Sequence, residues 1–210
     1  KIDAIEKQAV KESNQPQQLR CIVKRGTLKQ EIEDSAFVKC MAELTAFQSS
    51  TKDGVARSVA TYLIGKLYMS YYKGDRWAID QRTKLVDEVP ENMDEWSANI
   101  FMDQYRKCSV EALSNESLKK VASADYGPIL SLGKDSRIFY PTLYDLILFD
   151  MFENANSMNL LGEKMDDRGD ERLKYLNQWV TFHAKDQERD AYVKAKLTLF
   201  DYTHKGNKNQ

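Results

Sequence analysis

The residues whose types could support chemistry here are two histidines, three cysteines and a few carboxylate pairs. His183 and His204 are far in sequence from Cys21, Cys40 and Cys108, and no C-x-x-C spacing occurs. A zinc centre takes clustered ligands, so no metal site is expected. Each cysteine is instead expected to act as a small core hydrophobe, Cys108 on the apolar stripe of its helix. Asp145 and Asp150 are the two charges of an apolar segment opened by Pro141. Paired carboxylates can do general acid-base work. Five residues at roughly 100° each, however, put these two roughly 140° apart on a helix. One is therefore expected to face solvent and the other to make a hydrogen bond or ion pair between helices. His183 falls on an apolar stripe, where a satisfied core histidine is the expectation. An enzyme assembled from distant residues would draw first on Asp145 and His183.

Other patterns stop short of a signature. Met165-Asp166-Asp167-Arg168-Gly169-Asp170-Glu171 sets four acids around a glycine, without the Asp-x-Asp-x-Asp-Gly order or the closing Glu of a calcium loop. Asp170 is expected to cap the helix that starts at Glu171, its charge suited to the positive end. Gly65-Lys66 and Gly133-Lys134 lack the remainder of a phosphate-binding loop, and no G-x-S-x-G elbow is present. Tyr71, Tyr72, Arg76, Trp77 and Arg82 form an aromatic and basic cluster. Such a cluster can stack bases. In a chain with no wider basic stripe, a structural role is expected instead: Trp77 and its neighbours pinning the following connection, with the arginines stacking or pairing with acids. A protein-docking patch is the second reading of the same five residues. No catalytic residue and no cofactor is expected.

The elements that must position these residues are helices. The chain has 210 residues, 42% apolar and 30% charged, enough to bury a core without a staple or metal. Lys plus Arg is 31 and Asp plus Glu is 32, for a net charge of −1, which argues against nucleic acid as a partner. Nine glycines and four prolines are about half the usual share of roughly 12%, which favours helix over a turn-rich β fold. The longest clean apolar run, Leu146-Ile147-Leu148-Phe149, is far below the roughly 18 residues of a membrane span.

Periodicity places helices over about 2–13, from Pro16 to about 32, and from a cap at Asp34 or Ser35 through Phe47. The next, about 52–72, is apolar nearly all round and so needs cover on several sides. Its Ala56, Ala60 and Gly65 would let neighbours approach closely. Asp94 is expected to cap a helix ending near Leu113, and Pro141 to open one reaching about Asn154. Two further helices carry Leu173, Leu176, Val180 and His183, then Val193, Leu197 and Phe200. Two long irregular connections, 73–93 and 114–140, interrupt the series, the second with short helices around Leu118 and Ile129. The expected fold is all-α: antiparallel helix hairpins stacked in a tetratricopeptide-repeat-like array, though without a strict repeat of about 34 residues. One domain is expected over 1–203, with any subdivision near 73–93. A polar tail or linker is expected over 204–210. The start at Lys1 rather than Met reads as removal of an upstream segment.

Three blocks in combination carry a resemblance. The first is Tyr71-Tyr72-x-x-Asp75-Arg76-Trp77-x-Ile79-x-x-Arg82-Thr83, followed by Val89-Pro90 and Glu95-Trp96-x-x-Asn99. The second runs from Gly133-Lys134-Asp135-Ser136-Arg137 into Tyr140-Pro141-Thr142-Leu143-Tyr144-Asp145. The third runs from Phe182-His183 through Asp190-Ala191 to Leu197. Together they resemble the N-terminal helical region of the large alpha-2-macroglobulin-like proteins of Bacteroidetes. The resemblance implies an exported protein, often a lipoprotein, periplasmic or at the outer membrane, in which β-sandwich domains follow the helices. In the wider family those domains trap proteases through a bait segment and often a Cys-x-Glu-Gln thioester. Here the cysteines read Cys21-Ile22-Val23-Lys24, Cys40-Met41-Ala42-Glu43 and Cys108-Ser109-Val110-Glu111, so no such residues carry over. The function expected is a non-catalytic helical interaction or spacer module. Its partners would be other domains of the same polypeptide, proteases or envelope proteins. The alternative is a free-standing helical scaffold binding a peptide or protein partner in its groove.

Overall fold

A computed structural model describes residues 1–30, 33, 35–83, 89–127, 129, 133, 135–159 and 171–205. The architecture is all-α. Among the described residues there is no strand, only one isolated antiparallel bridge between Ala122 and Thr142. The chain divides into two compact units, one built on Lys1–Ser117 with Pro128–Leu130, the other on Leu118–Gly127 and Ser131–Gln210.

The first unit contains α1 (Ile2–Lys11), α2 (Gln15–Lys29), α3 (Ala36–Ser50), α4 (Gly54–Gly74), the short α5 (Arg76–Asp80) and α6 (Ala98–Leu113). Local chemistry sets the boundaries. The Asn14 side chain accepts from the Gln17 amide at 3.0 Å to start α2, with Pro16 in its first turn. Asp53 accepts from the Val55 and Ala56 amides at 2.8 and 3.0 Å to start α4. Asp94 does not cap α6. It lies in a 3-10 turn, Met93–Glu95, and Ser97 holds the position before the helix. The Asn92 side chain accepts from the Asp94 amide at 3.0 Å, and the Asp94 carboxylate accepts from the Tyr71 hydroxyl.

Successive helices pack antiparallel, shown by contacts in which one residue number rises as its partner's falls. Arg25 on α2 bonds Glu6 on α1 while Gln18 donates to the Ala9 carbonyl at 3.2 Å, and toward α3 Arg25 bonds Glu43 while Gly26 lies against Cys40. Between α3 and α4, Phe37 meets Tyr71 with ring centroids 5.0 Å apart, and Gln48 donates to Thr61 at 2.6 Å. Between α4 and α6, Tyr71 stacks on Phe101 at 5.4 Å, and just past α6 Asn115 donates to the Gly54 carbonyl at 2.9 Å. Helix α4 touches α2, α3, α5 and α6, as its all-round apolar surface requires. Ala56 and Ala60 are fully buried. A β-carbon placed on Gly65 would stand 2.9 Å from Cys108 Cβ, so this glycine sets how closely α4 and α6 approach. The 73–93 connection lies inside this unit, because the helices before and after it pack on each other. These contacts establish antiparallel neighbours; the helices range from 5 to 21 residues, and no equal repeat emerges.

A 3-10 turn at Glu116–Lys120 carries the chain into the second unit, which contains a further 3-10 turn at Ser123–Tyr126, then α7 (Ser136–Phe139), α8 (Leu143–Asn159), α9 (Glu171–His183) and α10 (Asp190–Lys205). The first turn matches the short helix expected around Leu118, which is fully buried. The neighbours of Ile129 at 128 and 130–132, where a short helix is expected, the acidic loop up to Asp170 with its cap, Lys134 and the end of the tail lie outside the described residues. The core draws on Tyr144, Ile147, Leu148, Met151, Phe152 and Ala155 at helical spacing along α8, with Tyr175, Leu176 and Trp179 from α9.

Candidate functional site

The five residues of the aromatic and basic cluster separate. The Tyr71 hydroxyl donates to Asp94, and that hydrogen bond, followed by burial, pushes its pKa up to about 12. The Tyr72 hydroxyl donates to Asp80 at 2.9 Å; burial first and then that bond push it to about 12. Arg76 pairs with Asp80 at 3.2 Å and lies 6.0 Å from the Tyr72 ring. Arg82 donates to the Trp96 carbonyl at 2.8 Å. Of the two arginines, Arg76 pairs with an acid, whereas the bond shown for Arg82 goes to a backbone carbonyl. Trp77 does not pin the connection: its side chain is 80% exposed. Helix α5 turns its Ile79 face inward, and Trp77, two residues earlier, points away. Trp96 does the pinning instead. Its indole N–H donates to the Pro90 carbonyl at 2.6 Å, and its ring sits between Tyr68 at 5.4 Å and Phe101 at 5.2 Å.

Cys21 and Cys40 are buried, as small core hydrophobes are, and Cys108 is half-buried; all three are free thiols. Burial raises the Cys40 thiol, Glu43 adding to this and Arg25 opposing it. Burial, then Glu111, pushes Cys108 up to about 11. Both thiols thus stay protonated and unreactive at neutral pH. Among the described residues, no group of three His, Cys, Asp or Glu side chains is arranged to hold a metal ion.

The concentrated polar chemistry of the second unit lies where α8 begins and α9 ends. Thr142 and Asp145 form a reciprocal cap at the start of α8. The Asp145 carboxylate accepts from the Thr142 amide and hydroxyl, each at 2.8 Å, and Thr142 Oγ1 faces the Asp145 amide at 3.3 Å. The other carboxylate oxygen accepts from the Trp179 indole N–H at 3.1 Å and meets His183 Nε2 at 2.6 Å. His183 Nδ1 lies 2.6 Å from Asp186, in the turn after α9. Antiparallel packing brings the positive N-terminal end of α8 beside the negative C-terminal end of α9. The two ends suit the anion and the cation they carry.

Asp145 is 0% and His183 1% exposed. Asp145 is thus the carboxylate that pairs between helices; Asp150 is half-buried. A neutral imidazole has one N–H, yet both ring nitrogens here meet carboxylates, so the geometry calls for the imidazolium. Burial alone would lower the pKa of His183. The hydrogen bond and charge of Asp145, and then those of Asp186, outweigh it, and the pKa lies above the ordinary 6.5. Chemically, the arrangement is a clasp. Neither ring nitrogen is left to take a proton from a substrate, and neither carboxylate oxygen of Asp145 lacks a donor. Sequence spacing hid Trp179, whose partner lies 34 residues away; Asp186 lies only three residues from His183, and the Thr142-x-x-Asp145 pattern was the local signal for the cap.

A pKa raised on folding fixes the sign of a pH effect. The stabilisation from His183 is full below about pH 6.5 and is lost as pH climbs through the raised value. Deprotonation leaves one N–H, which is retained toward buried Asp145, while Asp186, whose side chain is 42% exposed, turns to water. Urea midpoints of wild type and His183→Gln should therefore differ most below about pH 6.5, and the gap should narrow as pH rises above it. A gap that widened with pH would refute this assignment.

Compared with known proteins, the chain matches no family model, no curated protein and no solved structure. Among the described residues, no helix is long and apolar enough to cross a membrane.

Proposed function

We propose that this chain is a non-catalytic helical interaction module. The observation that carries the proposal is the outer face of α10. Val193, Leu197 and Phe200 are 48, 58 and 56% exposed and recur at intervals of four and three residues, so they share one side of the helix. Ala191 and Ala195 are buried and Tyr202 is half-buried on the opposite side. A helix that has already buried one apolar face has no packing reason to carry a second unless something docks on it. The Asp145–His183 pair, buried with its hydrogen-bonding capacity filled, supports a non-catalytic role.

The setting proposed is a large exported alpha-2-macroglobulin-like protein, periplasmic or at the outer membrane, often lipid-anchored. Other domains of the same polypeptide would be its first partners, and proteases or envelope proteins further ones. The residue blocks quoted above support this setting. Successive antiparallel neighbours along α1 to α6 are consistent with a repeat-like stack acting as spacer. The test is an immunoblot of fractionated native cells with antibody raised against this chain. The expected result is an envelope band several times larger than 24.3 kDa. A soluble band near 24.3 kDa would overturn the setting and leave a free-standing helical scaffold.

A further inference from the structure

The outer face of α10 has a charge pattern that selects its occupant. At roughly 100° per residue, Val193, Leu197, Phe200 and His204 form one narrow stripe, with the alternating four-and-three spacing of a two-helix seam. His204 continues the stripe, its ring stacked on Phe200 at 3.9 Å. One edge of the stripe carries Lys194 and Asp201; the other carries Lys196 and Thr203.

Resting on the interaction-module reading, we propose that this face pairs with the same face of a second copy, the two α10 helices antiparallel. In that arrangement Leu197 of each copy lies against Phe200 of the other, and Val193 against His204. Each edge then meets its own image in reverse order. Lys194 faces Asp201 of the other copy twice over, and Lys196 faces Thr203. A parallel pairing would set Lys196 beside Asp201 but bring Arg189 against Lys194. The antiparallel pairing brings no like charges together among these residues, and the self-complementary edge is what a two-fold interface requires.

Sedimentation equilibrium of the 210-residue chain tests this, over concentrations from about 10 µM to about 1 mM, the range of a small interface. The expected result is a shift toward twice 24.3 kDa as concentration rises. Leu197→Glu, at a position more than half exposed, should abolish the shift and leave helicity and Tm unchanged. Lys194→Glu and Asp201→Lys should each weaken pairing about tenfold, and the two together should restore it. Wild type that stays monomeric to about 1 mM would overturn the inference. So would a dimer that survives Leu197→Glu, or restoration by Lys196→Glu with Asp201→Lys in place of the Lys194 pair. The cell-fraction immunoblot is independent of all these outcomes, so failure here and failure of the broader reading remain distinct.

Discussion

Asp145→Ala should destabilise the second unit by about 3–5 kcal/mol, the usual cost of breaking a buried ion pair by removing one partner. The change strips acceptors from the Thr142 amide and hydroxyl, the Trp179 indole and His183 Nε2 at once. It leaves an imidazolium at 1% exposure with only Asp186 beside it. Domains are typically stable by about 5–15 kcal/mol, so such a loss is a large share of the total. The measurement is urea denaturation followed by circular dichroism, with Asp145→Asn alongside. The amide keeps the size and one oxygen acceptor but loses the charge, and its cost should be intermediate. A different outcome would be informative: both variants melting like wild type would show that the clasp does not hold the fold. An activity lost with stability intact would return Asp145 and His183 to consideration as a catalytic pair.

Gly65→Leu should cost about 3 kcal/mol, by forcing apart the two helices with the most extensive contact in the first unit. The nearest neighbour of an added β-carbon is Cys108 Cβ at 2.9 Å, an atom fixed to its backbone, followed by the Tyr105 carbonyl oxygen at 3.4 Å. Neither can swing away as the end of a long side chain can. Gly65→Ala should cost less, because alanine recovers about 1 kcal/mol of helix propensity while adding only the one atom. Thermal melts of the two variants against wild type check the order. An alanine variant more stable than wild type, with leucine close behind, would mean that α4 and α6 separate freely, contrary to the packing described. The companion glycine, Gly26, lies against Cys40 in the same way, an added β-carbon standing 2.8 Å from Cys40 Cβ. Close approach is thus a recurring device of this unit.

Much of the helical framework was legible locally. Breakers, caps and the 3.6-residue period are properties of short windows, so α1 to α4, α6 and the helices from Pro141 onward could be placed without knowing any neighbour. The small residues of α4 signalled close packing for the same reason. Legibility failed where two local signals competed. Asp94 and Ser97 both suit a helix start, and the choice fell to Ser97 because Tyr71, more than twenty residues earlier, engages the Asp94 carboxylate. Trp77 and Trp96 are both aromatic residues beside the same connection. Only the inward turn of Ile79, and the rings of Tyr68 and Phe101, decided that Trp96 would be the buried one.

Local sequence was enough to make this protein helical, to set where most helices run and to suit its cysteines to a core, because period, propensity and capping act over a few residues. It also determined that Asp145 and Asp150 could not act as a pair, since helix geometry sets them on different sides. Tertiary packing alone brings Asp145 to His183 and leaves α10 with a second apolar face in water. Those facts depend on which helix ends come together, and the chain separates the partners by 38 residues in the first case. Pairing over such a distance is governed by the packing of whole apolar faces, and no short window of sequence contains it.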